Sequence, residues 1–260
     1  MCIRDRNPLV GKPQARDWNT LSDEEKETES TRMEIYAAML DRVDQNIGKV
    51  LDKLRQQGRL DNTLVFFASD NGACAETTGA NVVSMAPEDI GKVASFDTIG
   101  EDWAIIQSTP FRYYKNYSHE GGICTPFIAY WPKGLKNPGS FNREPAHFID
   151  IMATLVDVGK ASYPKWHHGT SITPMQGVSL LPALVGKPLK RGKPIFWQWK
   201  QGAAIRDGNL KAVRWGEDWE LYDISKDRNE SRNLAAKEPE RLANLARQWK
   251  DWYASAKLSD

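Results

Sequence analysis

The sequence has few cysteines and no long apolar run, and both absences narrow the class of protein. Its three cysteines, Cys2, Cys74 and Cys124, are too few and too scattered for a disulfide framework or a zinc site. No apolar stretch approaches the roughly 20 residues that a membrane helix needs, and the first residues contain no apolar core of a signal peptide. We therefore expect no disulfide-rich scaffold and no membrane span.

An excess of charge of one sign is also absent. The 260 residues carry 35 Lys and Arg against 34 Asp and Glu, and the basic residues form no stripe with interleaved aromatics. This balance excludes nucleic acid as the expected partner. With 40% hydrophobic and 27% charged residues, the composition is typical of a globular protein that buries one large core or two modest ones.

The first six residues, "MCIRDR", show no apolar periodicity and do not fit the loop-like segment that follows them. They resemble the translated sequencing adapter that often heads metagenomic reading frames. We therefore treat residues 1–6 as an artefact and leave them out of fold reasoning. On this interpretation, we expect that the chain has lost its true beginning.

The longest periodic segment predicts an amphipathic helix over residues 22–57. Ser22 and Glu25 form a capping-box pattern at its start, and Gly58 marks its end. Apolar residues recur along it at spacings of three and four; they are Tyr36, Leu40, Val43, Ile47, Val50, Leu51 and Leu54. The apolar run at 63–68 then predicts a buried strand, which completes a helix-then-strand unit typical of a mostly parallel sheet.

The middle of the chain alternates between irregular and regular segments. Residues 74–110 show little periodicity, and a connection this long is usually functional or disordered. A second buried strand is predicted at about 125–131, and the segment "EPAHFIDIMATLVDVG" predicts a helix that ends at Gly159.

After "PLKRGKP" the pattern changes to short alternating segments, which predict an antiparallel sheet, followed by the helix "PERLANLARQWKDWYASA". We therefore predict an α/β domain over residues 7–190, part of a mostly parallel sheet flanked by helices. A smaller α+β subdomain with an antiparallel sheet follows over residues 191–260. Several of the ten tryptophans fall in this subdomain, where they either stack on sugar rings or, as is more frequent, pack in the core.

Two oxygen-bearing side chains follow the first predicted strand. Asp70 and Asn71 stand directly after "TLVFFAS", and the carboxyl ends of such strands are where open α/β sheets hold ligands. A carboxylate beside an amide carbonyl suits a hard cation such as Ca²⁺, and Gly72 lets the chain turn away behind them. The alternative is that Asp-Asn-Gly is only a favourable turn.

A second polar cluster lies in "TPFRYYKNYSHEGG", residues 109–122. Lys115 offers a point charge suited to a tetrahedral oxyanion, although an ordinary surface lysine has the same spacing. His119 is either a ligand-contacting residue or a hydrogen-bonded structural histidine.

Four segments follow one another in a specific order: "MLDRVDQNIGKVLDKLRQQGRLDNTLVFFASDNGA", "TPFRYYKNYSHEGGICTPFIAYWPKGL", "HFIDIMATLVDVGKASYP" and "WELYDISKDRNESRNLA". This order resembles the formylglycine-dependent sulfatases of the alkaline phosphatase superfamily, in particular the C-terminal half of a bacterial arylsulfatase. The resemblance implies that Asp70 and Asn71 are calcium ligands and that Lys115 contacts the sulfate group. His119 would lie near the substrate by position. Where the family's helix reads Pro-Thr-Leu, this chain has Ala153-Thr154-Leu155, which involves no ligand.

The family's nucleophile is a formylglycine made from cysteine in a Cys-x-Pro-x-Arg type motif near the N-terminus, and no such motif stands here. Cys2 lacks the middle residue, Cys124 lacks the arginine, and Cys74 lacks both. We therefore expect the formylglycine, and an upstream Asp pair for the metal, in a missing N-terminal half. We also expect this chain alone to be inactive.

The resemblance implies hydrolysis of aryl or carbohydrate sulfate esters by the complete protein, in a periplasmic or extracellular location. Two alternatives stay open. One is a phosphatase or phosphodiesterase of the same superfamily, for which zinc and additional histidine ligands would be expected. The other is a non-catalytic binding module that retains the fold and the metal.

Overall fold

The computed structural model describes residues 15–76, 87–95 and 97–257, so the adapter-like residues 1–6 lie outside the described part. The chain divides into two compact units. The first contains the described residues up to Lys49, those from Ala68 to Pro126 and those from Pro194 onward. The second consists of Val50–Phe67 and Phe127–Lys193. The subdomain boundary near residue 190 stays a prediction.

Helix α1 spans Asp23–Gln56, close to the predicted range. Its capping box forms as expected: the Glu25 backbone N–H donates to Ser22 Oγ at 3.2 Å, and the Ser22 N–H donates to Glu25 Oε2 at 2.8 Å. Gly58, with a φ of 65°, follows its end. On the apolar face, Leu40 and Val50 are 51% and 62% exposed, whereas Ile47 and Leu51 are partly buried.

The two predicted buried strands form a two-stranded sheet of β1 (Val65–Ala68) and β2 (Phe127–Tyr130). The rings of Phe66 and Phe127 lie 5.2 Å apart across the pair. The prediction that these strands are fully buried is wrong for this structure, since Phe67 is 44% and Ile128 58% exposed. The physical reason is that no further strand pairs with them and no described element covers this surface.

The long connection of the first unit is more regular than predicted. Helix α2 (Gly100–Ser108) forms within it, and Ala104 and Ile105 are 0% and 4% exposed. A four-residue helix, α3 (Glu120–Ile123), follows at the paired glycines. Short 3-10 turns stand at Trp18–Thr20, Leu60–Asn62 and Pro87–Asp89.

The second unit contains helix α4 (Ile149–Val158), the two-residue strands β3 (Trp166–His167) and β4 (Thr170–Ser171), and helix α5 (Leu181–Leu184). The fully buried Asp150 organises this unit. Its carboxylate accepts the N–H groups of His147 and Val178 at 2.8 and 2.9 Å and also pairs with Arg191. A buried carboxylate with this many donors joins the start of α4 to the following loops.

The predicted antiparallel sheet is confirmed as four strands in the order β5-β6-β7-β8, followed by helix α6 (Pro239–Lys257). The strands are β5 (Ile195–Trp199), β6 (Gly202–Asp207), β7 (Leu210–Trp215) and β8 (Trp219–Asp223). One face of the sheet packs against Leu245 and Trp249 of α6. The described part of the chain contains no helix both long and apolar enough to cross a membrane.

Candidate active site

The loop that follows β1 is held against the segment before β2 by backbone hydrogen bonds. The Ser69 N–H donates to Pro126 O at 3.2 Å, and the Gly72 N–H donates to Gly122 O at 2.9 Å. Ser69 Oγ also donates to Asn71 O at 2.9 Å, which closes the loop on itself. Asp70, at the tip, is exposed.

Glycines make this contact possible, because backbone packs directly on backbone. A Cβ built at Gly72 would lie 1.9 Å from Gly121 O, and one at Gly121 would lie 2.0 Å from Tyr113 O. Gly122 is equally crowded, with Tyr117 O at 2.0 Å. The sequences "DNG" and "EGG" therefore require glycine at three positions because no side chain fits there.

Lys115 joins the same arrangement through its main chain. Its N–H donates to Ala73 O at 3.0 Å, which places it beside the loop that carries Asp70 and Asn71. Its ammonium donates to Glu76 Oε2 at 2.9 Å and lies 3.7 Å from Cys74 Sγ. The hydrogen bond to Glu76 raises the pKa of Lys115, so the ammonium stays charged at neutral pH.

Glu76 has a second partner that the sequence did not indicate. Asn116 Nδ2 donates to Glu76 Oε1 at 2.9 Å, and Asn116 itself adopts a φ of 84°. The hydrogen bonds from Asn116 and then Lys115 lower the pKa of Glu76, and the charge of Lys200 adds to the shift. Glu76 therefore holds Lys115 in place as a carboxylate.

The donor set after β1 fits a hard cation in part. No hydrogen bond among the described residues engages the Asp70 carboxylate or the Asn71 side-chain amide, so both side chains can offer oxygen atoms to a cation. Ca²⁺ takes roughly six to eight oxygen ligands, of which these two are a minority. Within the described ranges, no group of three or more His, Cys, Asp and Glu residues is placed to hold a metal ion. Any remaining ligands would have to come from elsewhere.

His119 lies in a different environment, a buried network with the C-terminal sheet. It is 1% exposed, and its Nε2 lies 3.0 Å from Glu220 Oε2. Arg112 Nη1 and the Tyr222 hydroxyl donate to the same oxygen at 2.9 Å each. Although burial opposes it, the hydrogen bonds from His119 and Arg112 lower the pKa of Glu220 to about 2.

Two family models match this chain. The profile of the family described as Sulfatase matches residues 10–161, and that described as N-sulphoglucosamine sulphohydrolase, C-terminal, matches residues 111–252. The chain belongs to the sulfatase family. The resemblance inferred from the four sequence segments is therefore confirmed at the family level.

Two relatives support the same conclusion, and a solved structure shares the fold. An uncharacterized sulfatase of Schizosaccharomyces pombe (strain 972) is 35% identical over 252 residues, which cover 90% of this chain and 45% of the relative. An arylsulfatase of Klebsiella aerogenes is 30% identical over 189 residues, covering 68% and 40%. The solved structure of BT4656 in complex with its substrate D-Glucosamine-2-N, 6-O-disulfate superposes with a TM-score of 0.58 at 22% identity, covering 86% and 41%.

The sulfatase chain thus spans less than half the length of these relatives. The structural likeness shows the fold, which is of the alkaline phosphatase type, as the sequence predicted. Of the four predicted site residues, Asp70 and Asn71 lie on the loop to which the main chain of Lys115 is hydrogen-bonded at Ala73, and the Lys115 ammonium contacts Glu76. The ring of His119 instead joins the Glu220 network, with no hydrogen-bond partner for its Nδ1 among the described residues. A substrate-contacting role for His119 stays a prediction.

A buried ion cluster supports the glycine turn of the sulfatase chain, and sequence reasoning missed it. Lys211 is fully buried, and its ammonium lies 2.9 Å from Glu120 Oε1 and 2.7 Å from Glu230 Oε1. Glu230 Oε2 accepts the Glu120 backbone N–H at 2.9 Å. Burial opposes charge on Lys211, but the two carboxylates raise its pKa. A signal was present in the sequence, because Lys211 lies two residues before Val213 and therefore shares its face of β7.

Proposed function

We propose that this chain acts as the C-terminal half of a calcium-dependent, formylglycine-dependent sulfatase that hydrolyses sulfate esters. The observation that carries the proposal is the backbone contact that fixes Lys115 to Ala73, two residues beyond Asn71. This contact places the backbone of Lys115 beside the loop that carries Asp70 and Asn71, in a chain of the sulfatase family. The formylglycine and the other metal ligands would belong to the N-terminal half.

In this proposal Asp70 and Asn71 would hold Ca²⁺, which would supply Lewis-acid stabilisation of the negative charge on a sulfate group. Lys115 would contact the oxygens of the same group. Its ammonium has three donors, of which Glu76 takes one at 2.9 Å, and Glu76 thereby sets its direction. Positioned cations of this kind contribute because charge spreads over the non-bridging oxygens in the transition state.

The substrate class we propose is an aryl or carbohydrate sulfate ester. Its support is the arylsulfatase activity named for the Klebsiella aerogenes relative and the disulfated glucosamine named for BT4656. A periplasmic or extracellular location in the complete protein is part of the same proposal.

The test uses the complete enzyme, meaning this chain joined to an N-terminal sulfatase half. Initial rates are compared for 4-nitrophenyl sulfate, a hexose 6-sulfate and 4-nitrophenyl phosphate, with and without a calcium chelator. We expect calcium-dependent release of sulfate and much slower release of phosphate. Preferential turnover of the phosphate ester would identify a phosphatase instead, and no turnover of any ester would favour a non-catalytic module.

A further inference from the structure

The tryptophans of the C-terminal sheet and helix are not equivalent in their surroundings. Trp249 is 6% exposed, and its ring lies 5.7 Å from that of Trp219. Trp252 stacks on Phe196 at 4.9 Å. Trp199, at the end of β5, is by contrast 55% exposed. The first three are core residues, whereas Trp199 presents a large apolar ring to solvent.

The exposed ring of Trp199 is nevertheless held in one orientation. Its indole N–H donates to Asn116 Oδ1 at 2.8 Å. Asn116 is the neighbour of Lys115 and donates in turn to Glu76, the residue that binds the Lys115 ammonium. A continuous set of hydrogen bonds therefore connects the Trp199 ring to the lysine proposed to contact the sulfate.

A second cation accompanies the ring. Lys200 forms the turn between β5 and β6 with a φ of 49°, a region that residues other than glycine rarely adopt. Its ammonium lies 5.8 Å from the centroid of the Trp199 ring. The turn thus places this charge within cation–π distance of the Trp199 ring.

An ordered, exposed aromatic ring beside a lysine has a recognisable use. Covering an exposed tryptophan ring with an apolar surface is favourable, and a ring already held in one orientation loses little conformational freedom when a ligand covers it. The face of a sugar ring is such a surface, and an ammonium beside it suits an anionic substituent of that ring. Lys115 would at the same time contact the sulfate that is hydrolysed.

We propose that Trp199 and Lys200 form the subsite for the alcohol part of the substrate, with the sugar ring on Trp199 and a second anionic substituent at Lys200. This inference deepens the proposed function and rests on it. It assigns the substrate class more narrowly, to hexose sulfates that carry an additional sulfate or carboxylate group.

The experiment measures dissociation constants of three probes by titration calorimetry, with the complete enzyme whose nucleophilic cysteine is left unconverted so that no probe is hydrolysed. Inorganic sulfate reports on the anion site alone, a hexose monosulfate adds the ring, and a hexose disulfate adds the second anion. Trp199→Ala should weaken both sugars about tenfold and leave inorganic sulfate unchanged, while Trp199→Phe should retain most of the affinity. Lys200→Met should weaken only the disulfate.

Trp166→Ala is the matched control, because Trp166 is 65% exposed but lies in β3 of the second unit. It should change none of the three constants. Unchanged sugar binding by Trp199→Ala would overturn the subsite, as would an equal loss of affinity for inorganic sulfate. If the wild-type enzyme hydrolyses no sulfate ester but its sugar affinity still depends on Trp199, the proposed function fails and the subsite stands.

Discussion

At the residue scale, Asp70 and Lys115 lie on two segments whose backbones are hydrogen-bonded to each other, but their charged groups have different surroundings. The Asp70 carboxylate is exposed and without a hydrogen bond from the described residues, whereas the Lys115 ammonium is fixed by Glu76. In our proposal the Asp70 carboxylate would bind a cation, and the Lys115 ammonium is a charge that Glu76 holds in position. Substitution of each residue therefore separates the two roles.

Asp70→Ala in the complete enzyme should lower both calcium affinity and activity. Loss of one anionic ligand weakens the site, and high calcium should restore part of the activity as mass action refills it. Calcium titration followed by steady-state kinetics at increasing calcium tests this. Normal calcium binding by the variant would mean that the loop is only a turn.

Lys115→Ala should leave calcium affinity nearly unchanged and reduce the rate. Removal of one positioned donor in comparable sites costs roughly a hundredfold or more in kcat. The same two measurements apply, with Lys226→Ala as control, since the side chain of Lys226 is 81% exposed and far along the chain from this loop. A fully active Lys115→Ala enzyme would assign the lysine to the surface.

The lowered pKa of Glu220 leads to a prediction of how the stability of the protein responds to acid. Because its pKa in the folded protein is lowered to about 2 from 4.5, its contribution is fully present above about pH 4.5 and is lost as the pH falls toward 2. Glu220→Gln should therefore flatten the fall of unfolding free energy between these pH values. Urea denaturation at several pH values measures it, and the exposed Glu217→Gln serves as control. Equal slopes for wild type and Glu220→Gln would contradict the assignment.

At the scale of elements, local signals were predictable and distant contacts were not. The start of α1 follows from Ser22 and Glu25 because both partners of its capping box lie within one turn of helix. The support of Lys115 involves Glu76, and the chain from Asn116 to Trp199 spans 83 positions. No periodicity connects residues so far apart, so only the tertiary structure brings them together.

The packing of α3 against the segment that precedes it gives a prediction on glycine. Gly121→Ala should destabilise the protein by about 1–3 kcal/mol or more, because its Cβ would lie 2.0 Å from a backbone oxygen that cannot move aside. Gly48→Ala is the matched control within α1, where nothing lies within 4 Å of the added Cβ. Since alanine favours helix, that variant should gain roughly 0.5–1 kcal/mol. Chemical denaturation compares them, and equal stabilities would refute the close packing.

At the scale of the whole molecule, the family and fold were predictable from four segments in order, but the exposure of β1 and β2 was not. Their apolar sequences indicate burial, and burial depends on elements that pack against them. In this structure Phe67 and Ile128 remain 44% and 58% exposed. The apolar sequence of a strand shows that the strand is suited to burial, but whether it is buried depends on the elements that pack against it in the structure.

Two predictions concern the 260-residue chain on its own. It should hydrolyse no 4-nitrophenyl sulfate, because the described residues offer only Asp70 and Asn71 to a metal and the sequence contains no Cys-x-Pro-x-Arg type motif.

The 260-residue chain should also self-associate, since a short sheet with unpaired edges and exposed aromatic and aliphatic side chains recruits further copies. Sedimentation velocity over a range of concentrations measures this, and Ile128→Lys should reduce the association by placing a charge on the exposed surface. A monodisperse wild-type chain would contradict the second expectation, and sulfate release by the purified chain would contradict the first.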